Sequence, residues 1–283
     1  MIPSFGEKLG RMAVIDTAQL AESLGFASAW LSDHLALPRE DAGRYGHMLE
    51  AMTTLSYLAG STRRLRLGIS ALVLPQRNPL EVAKQVATID VLSAGRTLLA
   101  VGAGWSQGEF ENLGYDFRSR FDRLEDGIKV LRTLWRGRPV ASYQGQYYHF
   151  KDVSFSPAPV QAGGPPLWVA GDTPGALRRA ILLADGWHPH TLPAVKLAQA
   201  LASQRALLGR RPFTVSYRTH LRFGDDPSPA GCLCGGPADI LAAVQALQAA
   251  GVNYLVVSFD ADGQVERERA MRTFAQEILP AFK

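Results

Sequence analysis

Five short segments of this 283-residue chain hold the side chains best suited to chemistry. Asp33 and His34 form the first. An imidazole can hold or pass a proton near neutral pH, and the carboxylate beside it can fix the ring's tautomer or cap a helix start. Gln76, Arg77 and Asn78 form the second, with Arg77 a candidate contact for a phosphate or an acidic tail. In the third, Gly102-Ala103-Gly104-Trp105 leads into an acidic run containing Glu109. The Gly102-x-Gly104 spacing invites a dinucleotide-binding reading, but the third glycine of that pattern would stand at a position occupied by Gln107. Close approach of a flat ring system suits the segment better, because glycines withdraw side chains where a planar ligand lies on backbone; Trp105 and Glu109 would then line the rim.

The fourth segment, Gly171-Asp172-Thr173-Pro174-Gly175, has the form of a helix start, with Thr173 as N-cap and Pro174 at the first helical position. Free N–H groups there can hold a phosphate, provided Asp172 points away, and Arg178 could add a contact. His188 and His190 make the fifth. Their spacing points both rings the same way on an extended strand, yet no carboxylate or cysteine cluster completes a ligand set, so no metal is expected.

These segments share a context: most follow a short apolar run. Strands are predicted over 26–31, 65–74, 97–101, 166–170, 186–188, 213–217 and 254–259. Helices are predicted over 13–24, 49–59, 80–92, 120–135, 175–184, 194–208, 238–250 and 266–279. Short apolar strands alternating with amphipathic helices mark a parallel sheet. Seven strands follow the first helix, and Met1 to Phe5 looks like the end of another whose beginning is missing. Eight strands close a (β/α)8 TIM barrel, here with a truncated first strand and, after the fourth, an aromatic excursion over 143–155. A doubly wound open sheet is the competitor, but it lacks its usual Gly-rich loop in the first unit. In a barrel the polar segments converge at the C-terminal ends of the strands, where barrel active sites lie. One domain over 1–283 is expected.

Bulk composition narrows the partners. Lys and Arg number 30 against 26 Asp and Glu, and the net charge of +4 is spread without like-charge blocks. That balance suits a phosphorylated small molecule rather than a nucleic acid, which calls for a concentrated basic stripe. The two cysteines, Cys232 and Cys234, are separated by one residue, too close for an unstrained disulfide, and read as thiols in a reducing compartment. With no membrane span or signal peptide in the pattern, cytoplasmic residence is the expectation.

The chain resembles the bacterial luciferase-like oxidoreductase superfamily, especially its coenzyme F420-dependent branch. The resemblance is carried by LAESLGFASAWLSDHLALP (20–38), LGISALVLPQRNPLEVAKQVATIDVLSAGRTLLAVGAGW (67–105), GEFENLG (108–114) and PPLWVAGDTPGALRRAILLADGWHPH (165–190). It implies a barrel that assembles as a homodimer and holds a deazaflavin or flavin ring over its strand ends. Asp33 and His34 match the pair that borders the ring, and Glu109 matches a glutamate after the fourth strand. The bulge that props the ring, often with a non-proline cis peptide, would fall within Ser70, Ala71 and Leu72. The turn from Gly171 to Gly175 would hold the cofactor phosphate.

The activity this implies is hydride transfer between F420 and a small organic substrate. His34 is the candidate for proton transfer or charge stabilisation, oriented by Asp33, with Glu109 as a second candidate. An FMN-dependent monooxygenase and a non-catalytic F420-binding barrel are the alternatives. His34 is followed by Leu35-Ala36-Leu37 rather than the tryptophan-bearing pattern of sugar-phosphate dehydrogenases, which argues against glucose 6-phosphate as substrate.

Overall fold

Apolar runs too short for helices, each followed by an amphipathic segment, build a parallel sheet wrapped by helices. The computed structural model describes residues 1–6, 10–224, 231–261 and 263–282. Its strands are β1 (Ser28–Leu31), β2 (Arg66–Val73), β3 (Thr97–Gly102), β4 (Val140–Gln144), β5 (His149–Ser154), β6 (Leu167–Ala170), β7 (Gly186–His188), β8 (Thr214–Phe223), β9 (Leu233–Gly235) and β10 (Tyr254–Phe259). The α-helices are α1 (Arg11–Ser23), α2 (Arg39–Ala42), α3 (Ala51–Ser61), α4 (Pro79–Leu92), α5 (Gln107–Asn112), α6 (Arg120–Trp135), α7 (Pro174–Leu183), α8 (Ala194–Ser203), α9 (Arg205–Leu208), α10 (Pro237–Ala249) and α11 (Gln264–Thr273).

The strands lie in the order β1-β2-β3-β6-β7-β8-β10, every neighbouring pair parallel, and β9 pairs with the far end of β8. The sheet curls. Ile2 N–H donates to the Trp30 carbonyl of β1 at 2.8 Å, and the Met1 ammonium donates to the Val257 carbonyl of β10. The first two residues therefore lie between the two ends of the sheet, in the manner of a (β/α)8 barrel. Of the segment read as the end of a first strand, only these residues do so. Phe5 instead bridges Met48 in antiparallel fashion.

Side-chain alternation along each strand creates two apolar layers. Leu67, Ile69, Leu99, Val101, Leu167 and Val169 belong to the outer core, with Val86, Leu124, Ile128 and Leu177 of the helices. Trp30, Leu98, Ala100, Trp168 and Val256 form a separate cluster inside the curl. The Trp30 and Trp168 rings stack with centroids 5.1 Å apart. A Cβ on Gly68 would come within 2.3 Å of the Trp30 ring, so the glycine makes room for the indole. Burying each such side chain contributes about 1.5–3 kcal/mol.

Several elements depart from the sequence reading. The acidic run after Gly104 is not irregular: it forms α5, with Ser106 as its cap and Glu109 and Phe110 buried. Six residues are too few to display a helical period. The helix predicted over 194–208 divides at Gln204 into α8 and α9. Strand β8 runs on to Phe223, its continuation disguised because its inner positions are polar. β9 forms within a predicted loop, of which residues 225–230 lie outside the described residues. The aromatic excursion is the antiparallel hairpin β4–β5.

An apolar cavity of about 330 Å³ opens at the seam between β10 and β1, among Phe26, Trp30, Leu247, Val256 and Phe274. Its walls carry no acid–base cluster. The chemistry lies at the C-terminal ends of the strands. Among the described residues, no helix is long and apolar enough to cross a membrane, and no group of three or more His, Cys, Asp or Glu side chains could hold a metal ion.

Candidate functional site

The loop after β1 meets the first turn of α5. Ser106 caps that helix by accepting from Glu109 N–H at 3.2 Å, and its hydroxyl donates to Asp41 of α2. Glu109 is thereby buried and turned toward the loop. Its Oε1 accepts from the N–H groups of Leu35 (2.6 Å) and Ala36 (3.1 Å); its Oε2 accepts from Gln76 Nε2 (3.2 Å) and lies 2.9 Å from His34 Nδ1. Burial pushes the Glu109 carboxyl up, but the hydrogen bonds from His34 and the two backbone groups outweigh it and hold the acid below its ordinary range. An ionised carboxylate only accepts, so Nδ1 carries a hydrogen and Nε2 is the ring atom turned away from the clamp. The His34 ring sits between Tyr45 (5.5 Å) and Trp105 (5.6 Å, edge-on), and Trp105 is 54% exposed at the rim.

This geometry corrects two expected roles. Asp33 does not orient His34. Its buried carboxylate accepts from Val73 N–H of β2 (2.9 Å) and from Arg77 Nη2 (2.6 Å), joining the ends of β1 and β2. Burial lifts the Asp33 carboxyl above its usual range even against the Arg77 guanidinium. Glu109, the second candidate for proton transfer, is instead the residue that orients His34, with all its acceptor capacity directed into the protein. Arg77 likewise serves the fold, since Nη2 also reaches Glu50 at 3.2 Å. Asn78 caps α4 by accepting from Leu80 N–H (3.0 Å).

At the ends of three adjacent strands, small residues meet on the inner side. A Cβ built on Gly102 would stand 3.5 Å from the Ala71 Cβ and 3.8 Å from that of Ala170, so Ala71, Gly102 and Ala170 form one low floor across β2, β3 and β6. The peptide bond between Ser70 and Ala71 is cis, at the break in β2–β3 register between Ile69 and Leu72. Both features fall where the bulge was expected. Leu72, however, is fully buried in the outer core and faces away from the mouth, and the Ser70 side chain points down into the barrel. Gly104 has φ +79° and is pressed by Val73 and Phe110; it shapes the turn rather than the floor.

The remaining strand ends complete the mouth. His188 is buried between two hydroxyls, Ser70 Oγ at 2.7 Å from Nε2 and Ser216 Oγ at 2.9 Å from Nδ1. Burial, then the nearby Arg218 and His190, push its pKa down to about 3, so it is a neutral structural link. Arg218 Nη1 donates to the Ser70 carbonyl at 2.5 Å and Nη2 to Ser32 Oγ at 3.3 Å. Above this layer His220 Nδ1 lies 2.8 Å from Asp260 Oδ1, and the His190 and His220 rings meet edge-on at 5.8 Å. Arg218, His220 and Asp260 were not singled out in the sequence. The alternation Ser216, Arg218, His220 against Val215, Tyr217, Thr219 was the available signal, as was the place of Asp260 just past β10.

The glycine turn after β6 is fastened to β7. Trp187 Nε1 donates to the Gly171 carbonyl (2.7 Å), and Asp172 accepts from His190 N–H (2.7 Å) and Thr191 Oγ1 (3.3 Å). Asp172 thus turns to the 190–191 loop. Thr173 caps α7 by accepting from Ala176 N–H, leaving Gly175 N–H as the remaining first-turn donor for a phosphate. Arg178 is exposed along the same helix.

A family model described as luciferase-like monooxygenase matches residues 10–230. The chain belongs to this family. An F420-dependent glucose-6-phosphate dehydrogenase of Nocardia farcinica is 32% identical to this luciferase-like chain over 234 residues, which make up 79% of the chain and 68% of that relative. An F420-dependent hydroxymycolic acid dehydrogenase of Mycobacterium tuberculosis is 32% identical over 221 residues, 75% of the chain and 59% of the relative. The chain spans between about half and two thirds of the length of the first curated relatives it matches. The solved monooxygenase RslO1 from Streptomyces bottropensis shares the fold, with a TM-score of 0.82 at 22% identity, covering 95% of this chain and 92% of that one. Within this luciferase-like barrel, the floor of small residues is compatible with a flat ring: a Cβ on Gly102 would have only the Cβ atoms of Ala71 and Ala170 within 4 Å.

Proposed function

We propose that this chain is an oxidoreductase that moves a hydride between coenzyme F420 and a small organic substrate at the barrel mouth. The observation that carries the reading is the floor of Ala71, Gly102 and Ala170 beside a histidine locked by a buried glutamate. The relatives that are 32% identical are F420-dependent dehydrogenases, and F420 is compatible with that floor. When bound, the deazaflavin supplies the hydride chemistry, and the protein supplies placement and dryness.

Each residue then has a defined task. Ala71, Gly102 and Ala170 would leave room for the ring at the strand ends, and the exposed Trp105 would wall the rim beside His34. His34, fixed through Nδ1, directs Nε2 into the mouth to stabilise charge that develops beside the ring. Glu109 keeps that ring nitrogen in one orientation. Gly175 N–H and Arg178 are the groups placed to meet an anionic tail.

Parallel titrations of the protein with F420 and with FMN test the proposal. Saturable binding of F420, followed by substrate-dependent change in its absorbance, is the expected result. Preferential binding of reduced FMN with oxygen consumption would replace it by the monooxygenase reading, and F420 binding without turnover on any substrate would leave a carrier. Binding of neither cofactor removes the premise.

A further inference from the structure

We infer that Arg218 biases this site toward the reduced cofactor, by holding a fixed positive charge next to the floor on which the ring would receive a hydride. The inference rests on the F420 reading above and adds to it the residue that sets the potential of the bound cofactor. Alternation along β8 sends Ser216 and Arg218 to the same side of the strand. Ser216 Oγ lies 2.9 Å from His188 Nδ1, and Arg218, two residues on, crosses the barrel to the ends of β1 and β2. Its Nη1 donates to the Ser70 carbonyl at 2.5 Å and its Nη2 to Ser32 Oγ at 3.3 Å. That carbonyl belongs to the peptide group leading into Ala71, whose Cβ would stand 3.5 Å from a Cβ on Gly102. One peptide group therefore separates the guanidinium from the first residue of the floor. Both acceptors are uncharged, so the two bonds fix the position of the charge without cancelling it. The Ser70 side chain is held as well, 2.7 Å from His188 Nε2. His188 itself stays neutral, through burial first and then the charge of Arg218, which is thus felt within this layer.

A hydride is a proton with an electron pair, and it carries one negative charge. When a C–H bond of the substrate breaks and a C–H bond forms on the deazaflavin, the ring gains that charge together with both electrons. The substrate is left one negative charge poorer and releases a proton to solvent. A fixed cation beside the floor stabilises the ring after this transfer more than before it. Only such a difference between two states moves the equilibrium; a contact made equally with both changes affinity alone. A guanidinium suits the task, because it stays protonated at any working pH and its planar fork is held at two points. Little has to reorganise when the charge of the ring changes.

The test uses the intact chain and the variants Arg218→Lys, Arg218→Gln and Arg218→Met. Each is titrated without oxygen, once with oxidised F420 and once with F420 reduced beforehand by borohydride. The ratio of the two dissociation constants gives the potential of the bound cofactor relative to the free one, at about 30 mV for each tenfold. The wild-type chain should bind the reduced form about 10-fold more tightly than the oxidised form. Arg218→Gln and Arg218→Met should hold oxidised F420 within about 3-fold of the wild type and lose the preference for the reduced form. Arg218→Lys keeps a charge but not the fork, and should retain most of that preference. Were Arg218 only a brace between strands, both forms would weaken together and Lys would do no better than Met. That pattern overturns the inference. So does a wild-type chain that binds both forms equally, a result that stands whether or not a variant folds. A wild-type chain that binds neither form overturns the F420 reading itself, and the inference falls with it.

Discussion

The Glu109 carboxylate lies 2.9 Å from His34 Nδ1, although the two residues are 75 positions apart in the chain. Its other oxygen gathers the N–H groups of Leu35 and Ala36, so one buried side chain sets both the path of the loop after β1 and the direction of the imidazole.

Replacing the two partners should therefore have different consequences. Glu109→Ala leaves four donors around a buried space and is expected to lower stability by about 3–5 kcal/mol in urea unfolding, with loss of activity. His34→Ala removes a ring that touches Tyr45 and Trp105 at the rim, and should change stability by about 1 kcal/mol while slowing turnover about 10²–10⁴-fold. Equal stability losses in the two variants would contradict the clamp.

Gly102→Ala probes the floor. The added methyl stands at ordinary contact distance from Ala71 and Ala170, 3.5 and 3.8 Å, so the fold should accept it with little change in Tm. The same methyl rises into the space of the ring, and F420 affinity should fall about 10-fold or more, equivalent to about 1.4 kcal/mol. Unchanged affinity, measured by titration, would place the ring elsewhere.

His188 makes stability depend on pH. Its pKa falls from 6.5 to about 3 on folding, through burial first and then Arg218 and His190. Between those values the unfolded chain binds the proton and the folded chain does not. The contribution is complete above about pH 6.5 and is lost as pH falls toward 3, at about 1.4 kcal/mol per unit. Urea midpoints at neutral pH and at about pH 5 should differ by about 2 kcal/mol more in the wild type than in His188→Gln. Parallel pH curves for the two proteins would be the contrary result.

Arg77 and Asp33 should behave as a coupled pair. Arg77→Met strands a buried carboxylate that keeps only the Val73 N–H, and is expected to be destabilising by about 3–5 kcal/mol. Adding Asp33→Asn to that background should restore part of the loss, giving a coupling of about 2 kcal/mol in a double-mutant cycle. Additive effects would show that the ion pair contributes nothing beyond its parts.

Much of the scaffold was readable in the residue pattern. Arg120–Trp135 is a helix with the predicted ends, and Gly186–His188 and Tyr254–Phe259 are strands with the predicted ends, because hydrophobic period and turn residues act locally. Gly102 was read from the pattern as a place of close backbone approach, whereas Ala71 entered only through the bulge that the family resemblance implied. Which side chain serves which partner was decided only in three dimensions. Asp33 and His34 are neighbours in sequence, and an extended backbone sends consecutive side chains to opposite faces, so adjacency was the wrong guide. Asp33 turned to Arg77, and His34 met Glu109 from an α5 too short to announce itself. The His220–Asp260 couple exists for the same reason: curling a parallel sheet sets the end of β8 beside the end of β10, a proximity that no spacing along the chain encodes.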